Sequence, residues 1–459
     1  MKKKRRKLKK SVKRGCLLLL VVPLLLYVGT GWLVQRCTIE RTDVVEADSL
    51  IADTAALTEI RQRIEHLLNT PQALDTSNIH IAVYDIASQQ NVYRRHADRL
   101  APPASCMKLL TAVAAMEYLG VHHQFVTQVK LNGEQSGSTF YGTVLLQLDD
   151  DPMVESLQPM VDALRHRGIT CIEGDVVFDL LRNDTLKAHS TAATWDIPYH
   201  KLPILLKGRK RIEQDFYYLL QTAGVAFHRN PLLACPALQG IDPVAEPVVF
   251  RLGVNSLETH TRTIYLHRTP LTEILAPMLI HSSNIKADEL YFHIDHVFDR
   301  IAGVNTCEGQ RVQDFMPILF DALSYGSGDA VQDLSGKDYV INDGSGLSPE
   351  NRLTADFLIA LLRYAWTNEE MRHFLIDEAL ATPGHPVRHG SLLGRMYAPL
   401  YRNKIFVKTG TITTIGLSSL AGYAQAADGR WLIFAIINED SPVAESRIFQ
   451  DAFCRELIR

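Results

Sequence analysis

The chain has 459 residues, of which 46% are hydrophobic and 22% charged, and this length is enough for two or three domains with apolar cores. The net charge of −3 is unevenly distributed, because residues 1–14 carry ten Lys or Arg and no acid, whereas residues 37–459 carry 37 basic and 51 acidic side chains. An acidic body lacks the clustered cations that phosphate contacts need, which excludes nucleic acid as a partner. The seven cysteines are scattered without a C-x-x-C pair, and this argues against a zinc module and a disulfide-stapled fold.

A membrane anchor is predicted near the N-terminus. Residues 15–34 are twenty consecutive uncharged and mostly apolar residues, long enough to cross a bilayer as a helix. The positive charges before this segment predict that residues 1–14 form a cytoplasmic basic arm. The rest of the chain then lies on the outer, periplasmic side of a bacterial inner membrane. Cleavage of the segment as a signal peptide is the alternative, although no clean small-x-small site follows it.

The hydrophobic patterns predict mixed helices and strands, in which the middle of the chain interrupts a domain built from its two ends. The predicted early elements are a spacer and first helix within 35–76 (the helix at 49–69), strands at 78–86 and around 92–93, and a helix from Ser105. Those of the middle are strands at 126–131, 142–148 and 174–180, a helix at 153–167 and a solvated basic loop at 207–211. Those of the end are helices at 271–299, 311–324 and 442–457 and strands at 405–411, 416–424 and 431–438, the last two joined by a D-G hairpin turn. Because the first and last strands can share one sheet, residues 77–130 and 255–459 are predicted to form one domain, with 131–254 as an inserted α+β module.

The helix that begins near Ser105 carries the first chemical motif. In P-A-S-C-M-K-L-L-T-A (103–112), Ser105 and Lys108 are three positions apart and therefore lie on one helix face. A serine hydroxyl needs a base to become a nucleophile, and a lysine can serve when burial or another cation lowers its pKa. The pattern S-x-x-K also arises by chance in a chain of this length, and Ser283 and Lys286 form a second copy.

Two further motifs follow the S-x-x-K motif along the chain. H-S-S-N at 281–284 contains Ser282 and Asn284, which form the only S-x-N of the chain. K-T-G-T at 408–411 lies on a predicted strand that can pair beside the first helix, and K-T-G occurs once. Its residues are Lys408, Thr409, Gly410 and Thr411. S-x-x-K, S-x-N and K-T-G in this order form a signature of β-lactamases and penicillin-binding proteins.

Longer stretches resemble one family within that group. P-A-S-C-M-K-L-L-T-A-V-A-A, N-D-G-S-G-L-S-P-E-N-R-L (342–353), H-G-S-L-L-G-R-M (389–396) and V-K-T-G-T-I-T-T-I-G-L-S-S-L-A-G-Y (407–423) are similar to the D-alanyl-D-alanine carboxypeptidase/endopeptidase family, the low-molecular-mass class C penicillin-binding proteins. The resemblance implies a penicillin-binding-protein/β-lactamase-like transpeptidase fold, an α/β (α+β) fold with an antiparallel sheet flanked by helices. Two departures are Cys106, where the family usually has Thr, and Ser283, where Asp is common.

The resemblance also implies a serine DD-peptidase that uses no metal and no cofactor. Its substrates are D-alanyl-D-alanine bonds of peptidoglycan stem peptides, with cross-link bonds as a further candidate. Ser105 is expected to attack and form an acyl-enzyme, with Lys108 as its base, held neutral by burial and Lys408. Ser282 is expected to relay a proton to the leaving amine, and Asn284 to orient Lys108 and the substrate amide.

The same resemblance assigns the remaining motif residues. Lys408, Thr409 and Thr411 are expected to seat the substrate carboxylate, and the backbone N–H groups of Ser105 and Thr411 to form an oxyanion hole. β-Lactam antibiotics are expected to acylate Ser105. Two alternatives stay open: a β-lactamase, which needs a positioned carboxylate for fast deacylation, and a non-catalytic ectodomain that binds peptidoglycan or β-lactams.

Other conspicuous patterns receive plainer interpretations. D-G-S-G at 343–346 is interpreted as a turn that shapes the rim of the site, because no G-x-S-x-G elbow occurs in the chain. The pair His293 and His296 lacks the H-E-x-x-H pattern of a zinc peptidase and is interpreted as helix-face or surface histidines. A single Cys171–Cys235 disulfide bridge remains open.

Overall fold

The computed structural model describes residues 46–70, 74–180, 201–230, 249–252, 261–302, 310–324, 334 and 337–459. The predicted basic arm (1–14) and membrane anchor (15–34) lie outside the described residues. Within the described ranges, no helix combines the length and the hydropathy needed to cross a bilayer. The chain divides after Ile60 into two units, and the second, Arg61–Arg459, contains every predicted site residue.

The described elements form a mixed α/β fold. The strands are β1 Ile79–Asp85, β2 Gln90–Arg95, β3 Gln124–Ser136, β4 Thr139–Leu148, β5 Cys171–Leu180, β6 Ala226–Arg229, β7 Val249–Leu252, β8 Arg262–Pro270, β9 Ile405–Ile412, β10 Leu417–Gln425 and β11 Trp431–Asn438. The helices are α1 Glu46–Asn69, α2 Met107–Leu119, α3 Gln158–His166, α4 Arg209–Thr222, α5 Leu271–Ile280, α6 Asn284–Ala302, α7 Gln310–Ser324, α8 Ala355–Thr367, α9 Glu369–Phe374 and α10 Val443–Ile458.

The first sheet joins the two ends of the second unit. Its order is β2-β1-β11-β10-β9, and all neighbours are antiparallel. The early and late strands therefore share one sheet, as the sequence predicted. Every residue of β1 is buried, and α8 and α10 pack on β11 and β10, so helices cover the central strands. A hairpin turn at Ala426–Arg430 joins β10 to β11.

The second sheet lies in the middle of the chain. Its order is β6-β5-β4-β3-β8, with β7 also pairing with β5. Strands β3 and β4 form an antiparallel hairpin, whereas β4–β5 and β5–β6 are parallel pairs. In chain order, its first strand is β3, which follows α2, and its last is β8, which runs directly into α5. The strands of this sheet therefore span Gln124–Pro270. The domain boundaries at 131 and 254 stay a prediction.

Helix α2 lies in the apolar core, where it packs against helices α5, α6, α7 and α8. All residues from Met107 to Met116 are buried, and the apolar ones belong to one cluster with residues of α5, α6, α7 and α8. Because Lys108 lies within this run, its charged side chain is carried into the interior. Burying an ammonium group is unfavourable unless it has hydrogen-bond partners, so its surroundings have to supply them.

Several elements differ from their sequence predictions. Helix α3 begins at Gln158 rather than at 153, because the side chains of Asp151 and Ser156 accept backbone N–H groups in turns and Pro159 favours a helix start. The predicted solvated loop at 207–211 is wrong. Lys207 is buried and donates to a backbone carbonyl.

Helix α4 follows Lys207 and buries Ile212, Phe216 and Leu220, which recur at helical spacing. The predicted helix at 271–299 is two helices, because the chain turns between α5 and α6. Ser282 adopts a left-handed backbone conformation there, with a φ of +59°. Helix α8 has no counterpart among the predicted elements, although the Thr354 hydroxyl caps it by accepting the Phe357 N–H.

Candidate active site

Ser105 lies in a short 3-10 turn, Ala104–Cys106, immediately before α2. It is half-buried, and the Nζ atom of Lys108 is 3.0 Å from its Oγ atom. The spacing of three residues thus places the amine beside the hydroxyl, where a base has to lie to activate a serine nucleophile. A lysine that is wholly buried and touches a reachable serine is arranged for proton transfer, because the geometry of the pair is fixed by the helix.

Two carbonyl oxygens also accept hydrogen bonds from Lys108. Its Nζ atom donates to the Oδ1 atom of Asn284 at 2.7 Å and to the backbone oxygen of Ser345 at 2.6 Å. Asn284 begins α6, and Ser345 belongs to the D-G-S-G segment. A carbonyl oxygen can only accept a hydrogen bond, so both contacts orient N–H bonds of the lysine away from Ser105.

The second lysine of the site comes from β9. Lys408 is buried, and its Nζ atom lies 2.9 Å from the Oγ atom of Ser282 and 2.6 Å from the backbone oxygen of Thr409. Burial lowers the pKa of Lys408 to about 8, and the nearby Cys106 thiol acts weakly in the opposite direction. The turn between α5 and α6 is what carries Ser282 to this lysine.

The other K-T-G-T residues line the edge of β9. Gly410 has no room for a side chain, because a Cβ atom there would come within 2.2 Å of the Ser419 Oγ atom. The hydroxyl of Thr411 donates to the Gly410 carbonyl at 2.8 Å and accepts from the Nη2 atom of Arg447 at 3.1 Å. The hydroxyl of Thr409 contacts that of Ser391. Hydroxyls, a buried lysine and an exposed arginine therefore lie along one strand edge.

Cys106 joins the two halves of the site. Its thiol donates to the backbone oxygen of Lys408 at 3.3 Å and lies 3.3 Å from the hydroxyl of Ser419, which itself donates to the Pro103 carbonyl at 2.7 Å. Burial raises the pKa of the Cys106 thiol, which favours its neutral form as a hydrogen-bond donor. The departure from the family's usual Thr therefore keeps a donor at this position.

Sequence reasoning missed how much the D-G-S-G segment contributes. Besides the Ser345 carbonyl on Lys108, the Gly344 carbonyl accepts from the Thr111 hydroxyl at 2.7 Å. Gly346 has a φ of +77°, and a Cβ atom there would lie 1.8 Å from the Ala104 carbonyl, so this position requires glycine. The glycines alone signalled a turn, and nothing in the sequence indicates which carbonyl faces the lysine.

Asp288 is a second residue that the sequence did not reveal. It lies one helical turn after Asn284 on α6, on the same face, and interacts electrostatically with Lys108. Burial and the neighbouring Asp343 carboxylate raise the pKa of Asp288 to about 7. Asp343 itself accepts backbone N–H groups, among them that of Ser348 at 2.7 Å. A titratable carboxyl group thus lies close to the candidate base.

The two helix histidines are buried rather than at the surface. His296 and His293 face Asp150, with His293 3.6 Å from that carboxylate, and the Nε2 atom of His123 is 3.4 Å from that of His293. Both lie on α6, as the helix-face interpretation predicted, but neither is at the surface, because the second sheet's loop after β4 covers this face of α6.

A buried lysine beside a serine at the start of a core helix, with a second lysine on the edge strand of a five-stranded antiparallel sheet, defines an acyl-transferring serine hydrolase of the penicillin-binding-protein and β-lactamase architecture. The sequence profile of the D-Ala-D-Ala carboxypeptidase 3 (S13) family matches residues 60–199 and 254–455. The chain belongs to this family.

Individual proteins agree with that assignment. The D-alanyl-D-alanine carboxypeptidase of an Actinomadura species is 26% identical over 478 residues, covering 88% of this chain and 86% of the relative. The crystal structure of penicillin binding protein 4 from Haemophilus influenzae matches with a TM-score of 0.60 at 17% identity, covering 87% of this chain and 98% of that one. The same protein complexed with a β-lactam matches with a TM-score of 0.58 at 18% identity, covering 86% and 98%.

The predicted family and the predicted fold class are thereby confirmed, and the chain is a serine peptidase, a hydrolase with DD-peptidase function. The β-lactamase and the non-catalytic ectodomain are not favoured. The roles of individual residues are a separate question, which depends on the geometry above.

Proposed function

We propose that Ser105 attacks the carbonyl carbon of the terminal D-alanyl-D-alanine bond of peptidoglycan stem peptides and that water later releases the acyl group. The observation that carries this proposal is a convergence. Lys108 contacts both Ser105 and Asn284, while Lys408 contacts Ser282, although these residues come from three distant segments. Such a constellation supplies a nucleophile, a base and a proton relay at one point.

Lys108 is the general base in this scheme. A neutral amine has two N–H bonds and one lone pair. In this scheme the carbonyl oxygens of Asn284 and Ser345 accept N–H bonds of the amine, and its lone pair faces the hydroxyl of Ser105, 3.0 Å away. The amine then takes the proton of the hydroxyl as the Oγ–C bond forms. The protonated lysine keeps all three contacts, which stabilises the charge as it develops.

Ser282 carries the proton to the leaving group. Its hydroxyl contacts Lys408, which can donate to it, and the left-handed turn between α5 and α6 holds it on this side of the site. The scissile C–N bond breaks as the amine of D-alanine gains a proton from Ser282, and Lys408 or Lys108 replaces that proton. The backbone N–H groups of Ser105 and Thr411 stabilise the oxyanion.

The substrate carboxylate is bound along β9. Thr409 and Thr411 present hydroxyls there, and Lys408 supplies a buried positive charge below its pKa of about 8. Arg447 supplies a second cation, because its guanidinium already reaches the Thr411 hydroxyl. An arginine beside hydroxyls is suited to a carboxylate, since its donors match the two oxygens. Arg447 is an addition to the residues expected from the sequence.

The decisive experiment combines labelled penicillin with intact-protein mass spectrometry and an assay of D-alanine release. Wild-type protein should acquire one adduct and release D-alanine, and Ser105→Ala should do neither. Ser283→Ala is the matched control, because Ser283 belongs to the second S-x-x-K of the chain, and it should acquire the adduct. An adduct on Ser105→Ala at wild-type occupancy would refute the role of Ser105. Rapid loss of the wild-type adduct with turnover of penicillin would favour a β-lactamase instead.

The membrane segment completes the proposal. We infer that residues 15–34 anchor the enzyme in the cytoplasmic membrane, with residues 1–14 in the cytoplasm and the peptidase on the peptidoglycan side. The support is the ten positive charges followed by twenty uncharged residues. Mass measurement of the protein extracted from membranes distinguishes this arrangement from a cleaved signal peptide, which would remove these residues and leave the protein in the soluble periplasmic fraction.

A further inference from the structure

Three different metal-binding side chains meet on the second sheet. Strands β5 and β6 run parallel, and their register places Glu173 opposite His228. Cys171 is two residues before Glu173 on β5, so both side chains point to the same face of the sheet. The ladder of two regular strands therefore holds a thiol, a carboxylate and an imidazole on one side of the sheet, at its β6 edge.

The donor atoms are close enough to share an ion. The Nδ1 atom of His228 is 2.8 Å from the Oε1 atom of Glu173, and the Sγ atom of Cys171 is 3.9 Å from each of these atoms. A triangle with these sides has a centre about 2.1 Å from every corner, which is close to the ~2.3 Å of a Zn–S bond and the ~2.0–2.2 Å of Zn–N and Zn–O bonds. An ion slightly above that plane meets all three bond lengths without movement of the backbone.

We propose that Cys171, Glu173 and His228 form a binding site for a zinc ion, with water as the fourth ligand. Sulfur and imidazole donors select zinc over Mg²⁺ and Ca²⁺, which prefer oxygen ligands. The side chain of His228 is 63% exposed, so a water molecule can reach the fourth position. Among the described residues, Cys171 forms no disulfide.

Zinc binding at this site releases a proton. Zinc binds the thiolate form of a cysteine, so a protonated Cys171 has to lose its proton when the ion binds. The Zn–S bond forms as the S–H bond breaks, and the proton passes to the solvent.

A metal ion at this site would stabilise the edge strand β6. Strand β6 has four residues and lies at the edge of its sheet, where it pairs with β5 alone among the described strands. A metal ion that bridges β5 and β6 adds a link that the unfolded chain lacks, because ligands 57 residues apart are not held together there. This separation is also why the sequence, which has no closely spaced cysteine pair, indicated no zinc module. The role is structural and independent of the proposed peptidase chemistry.

The test uses the full-length protein stripped of metal with a chelator under reducing conditions. Titration with zinc chloride, followed by calorimetry in buffers of different ionisation enthalpy, should show one ion bound, about one proton released and a higher Tm. Cobalt should give a thiolate-to-metal charge-transfer band. Cys171→Ser and His228→Ala should each weaken zinc binding at least about tenfold and remove that band or shift it.

Two controls keep the outcomes separate. His373→Ala removes an exposed histidine that pairs with carboxylates and has no thiol beside it, and it should bind zinc as wild type does. Acylation by labelled penicillin reports that every variant is folded. Sub-stoichiometric zinc binding by the wild type, or binding that survives Cys171→Ser at full affinity, would overturn the proposal. So would a Cys171–Cys235 disulfide in the native protein, detected by non-reducing peptide mapping, because it occupies the thiol.

Discussion

The start of α2 and the middle of β9 each bury a lysine, and the two regions treat the charge differently. At the start of α2, Lys108 meets a hydroxyl and two carbonyl oxygens, and a carboxyl group, Asp288, lies close by. On β9, Lys408 meets one hydroxyl and one carbonyl oxygen, and burial lowers its pKa to about 8. In the proposed mechanism the first environment orients the lone pair of a neutral Lys108, whereas the second holds a charged Lys408 at a cost in stability.

This contrast predicts that removal of Lys108 has the largest effect. Lys108→Met keeps the length of the side chain and removes the amine, so the acylation rate of Ser105 should fall at least about 10³-fold. The measurement is the time course of the penicillin adduct by mass spectrometry. Lys286→Met, in the second S-x-x-K, is the matched control and should acylate at the wild-type rate. A Lys108→Met enzyme within tenfold of wild type would show that another group takes the proton.

Lys408 should make activity and stability respond to pH in opposite directions. Its pKa is about 8 in the folded protein and 10.5 in the absence of the fold. Between these values the unfolded chain binds more protons, so stability should rise with pH through that window, by up to about 3 kcal/mol. Over the same window the cation that seats the substrate carboxylate is lost, and kcat/KM for D-alanine release should decline.

The measurements are kcat/KM and urea unfolding at pH values from 7 to 10. Lys408→Met should lower kcat/KM roughly 10²-fold at pH 7 and should abolish the extra stability gained at alkaline pH. Lys404→Met, at a partly exposed lysine just before β9, should change neither profile. If the wild-type stability is flat across this range, Lys408 does not titrate there and the contrast between the two lysines fails.

The sequence was sufficient to predict the reacting side chains of the site, but not the tertiary contacts that surround them. The contact between Ser105 and Lys108 follows from helix periodicity alone. The strand at 405–411 was predicted from the apolar residues with which it begins. The contact between Ser282 and Lys408 depends on a left-handed residue between two apolar helices, and the periodicity of 271–299 runs across that break without a signal. Local patterns therefore identify the reacting groups, whereas their convergence is a tertiary property.

Backbone groups mark the other limit of sequence reasoning. The carbonyl of Ser345 fixes Lys108, but every residue has a carbonyl, so no side-chain pattern identifies it. The basic segment at 207–211 was misread for the converse reason: its charges suggested a loop, while the buried Ile212 and Phe216 already had helical spacing. The charged residues therefore indicated only which side of α4 is exposed, whereas the spacing of the apolar residues indicated that the segment is a helix.

Asp288 offers the finest test of the difference between the two lysines, because it is the carboxyl group that the Lys408 environment lacks. Its Oδ1 atom is buried and has no hydrogen-bond partner among the described residues, so Asp288→Asn is an isosteric change that removes mainly charge. Without that negative charge, the neutral form of Lys108 should be reached more easily. The acid limb of the acylation rate should then move to lower pH by about one unit, with less than tenfold change at its maximum.

The measurement is the acylation rate of wild type and Asp288→Asn by labelled penicillin between pH 5 and 9. Asp321→Asn makes the same change of charge at an exposed position on α7 and should leave the profile in place. Because the pKa of Asp288 is about 7, the wild-type limb should also be broader than a single titration, and the variant's limb should narrow. An unchanged profile in Asp288→Asn would mean that the carboxyl group only fills space beneath α2 and that the acceptors on Lys108 are sufficient to prepare it as a base.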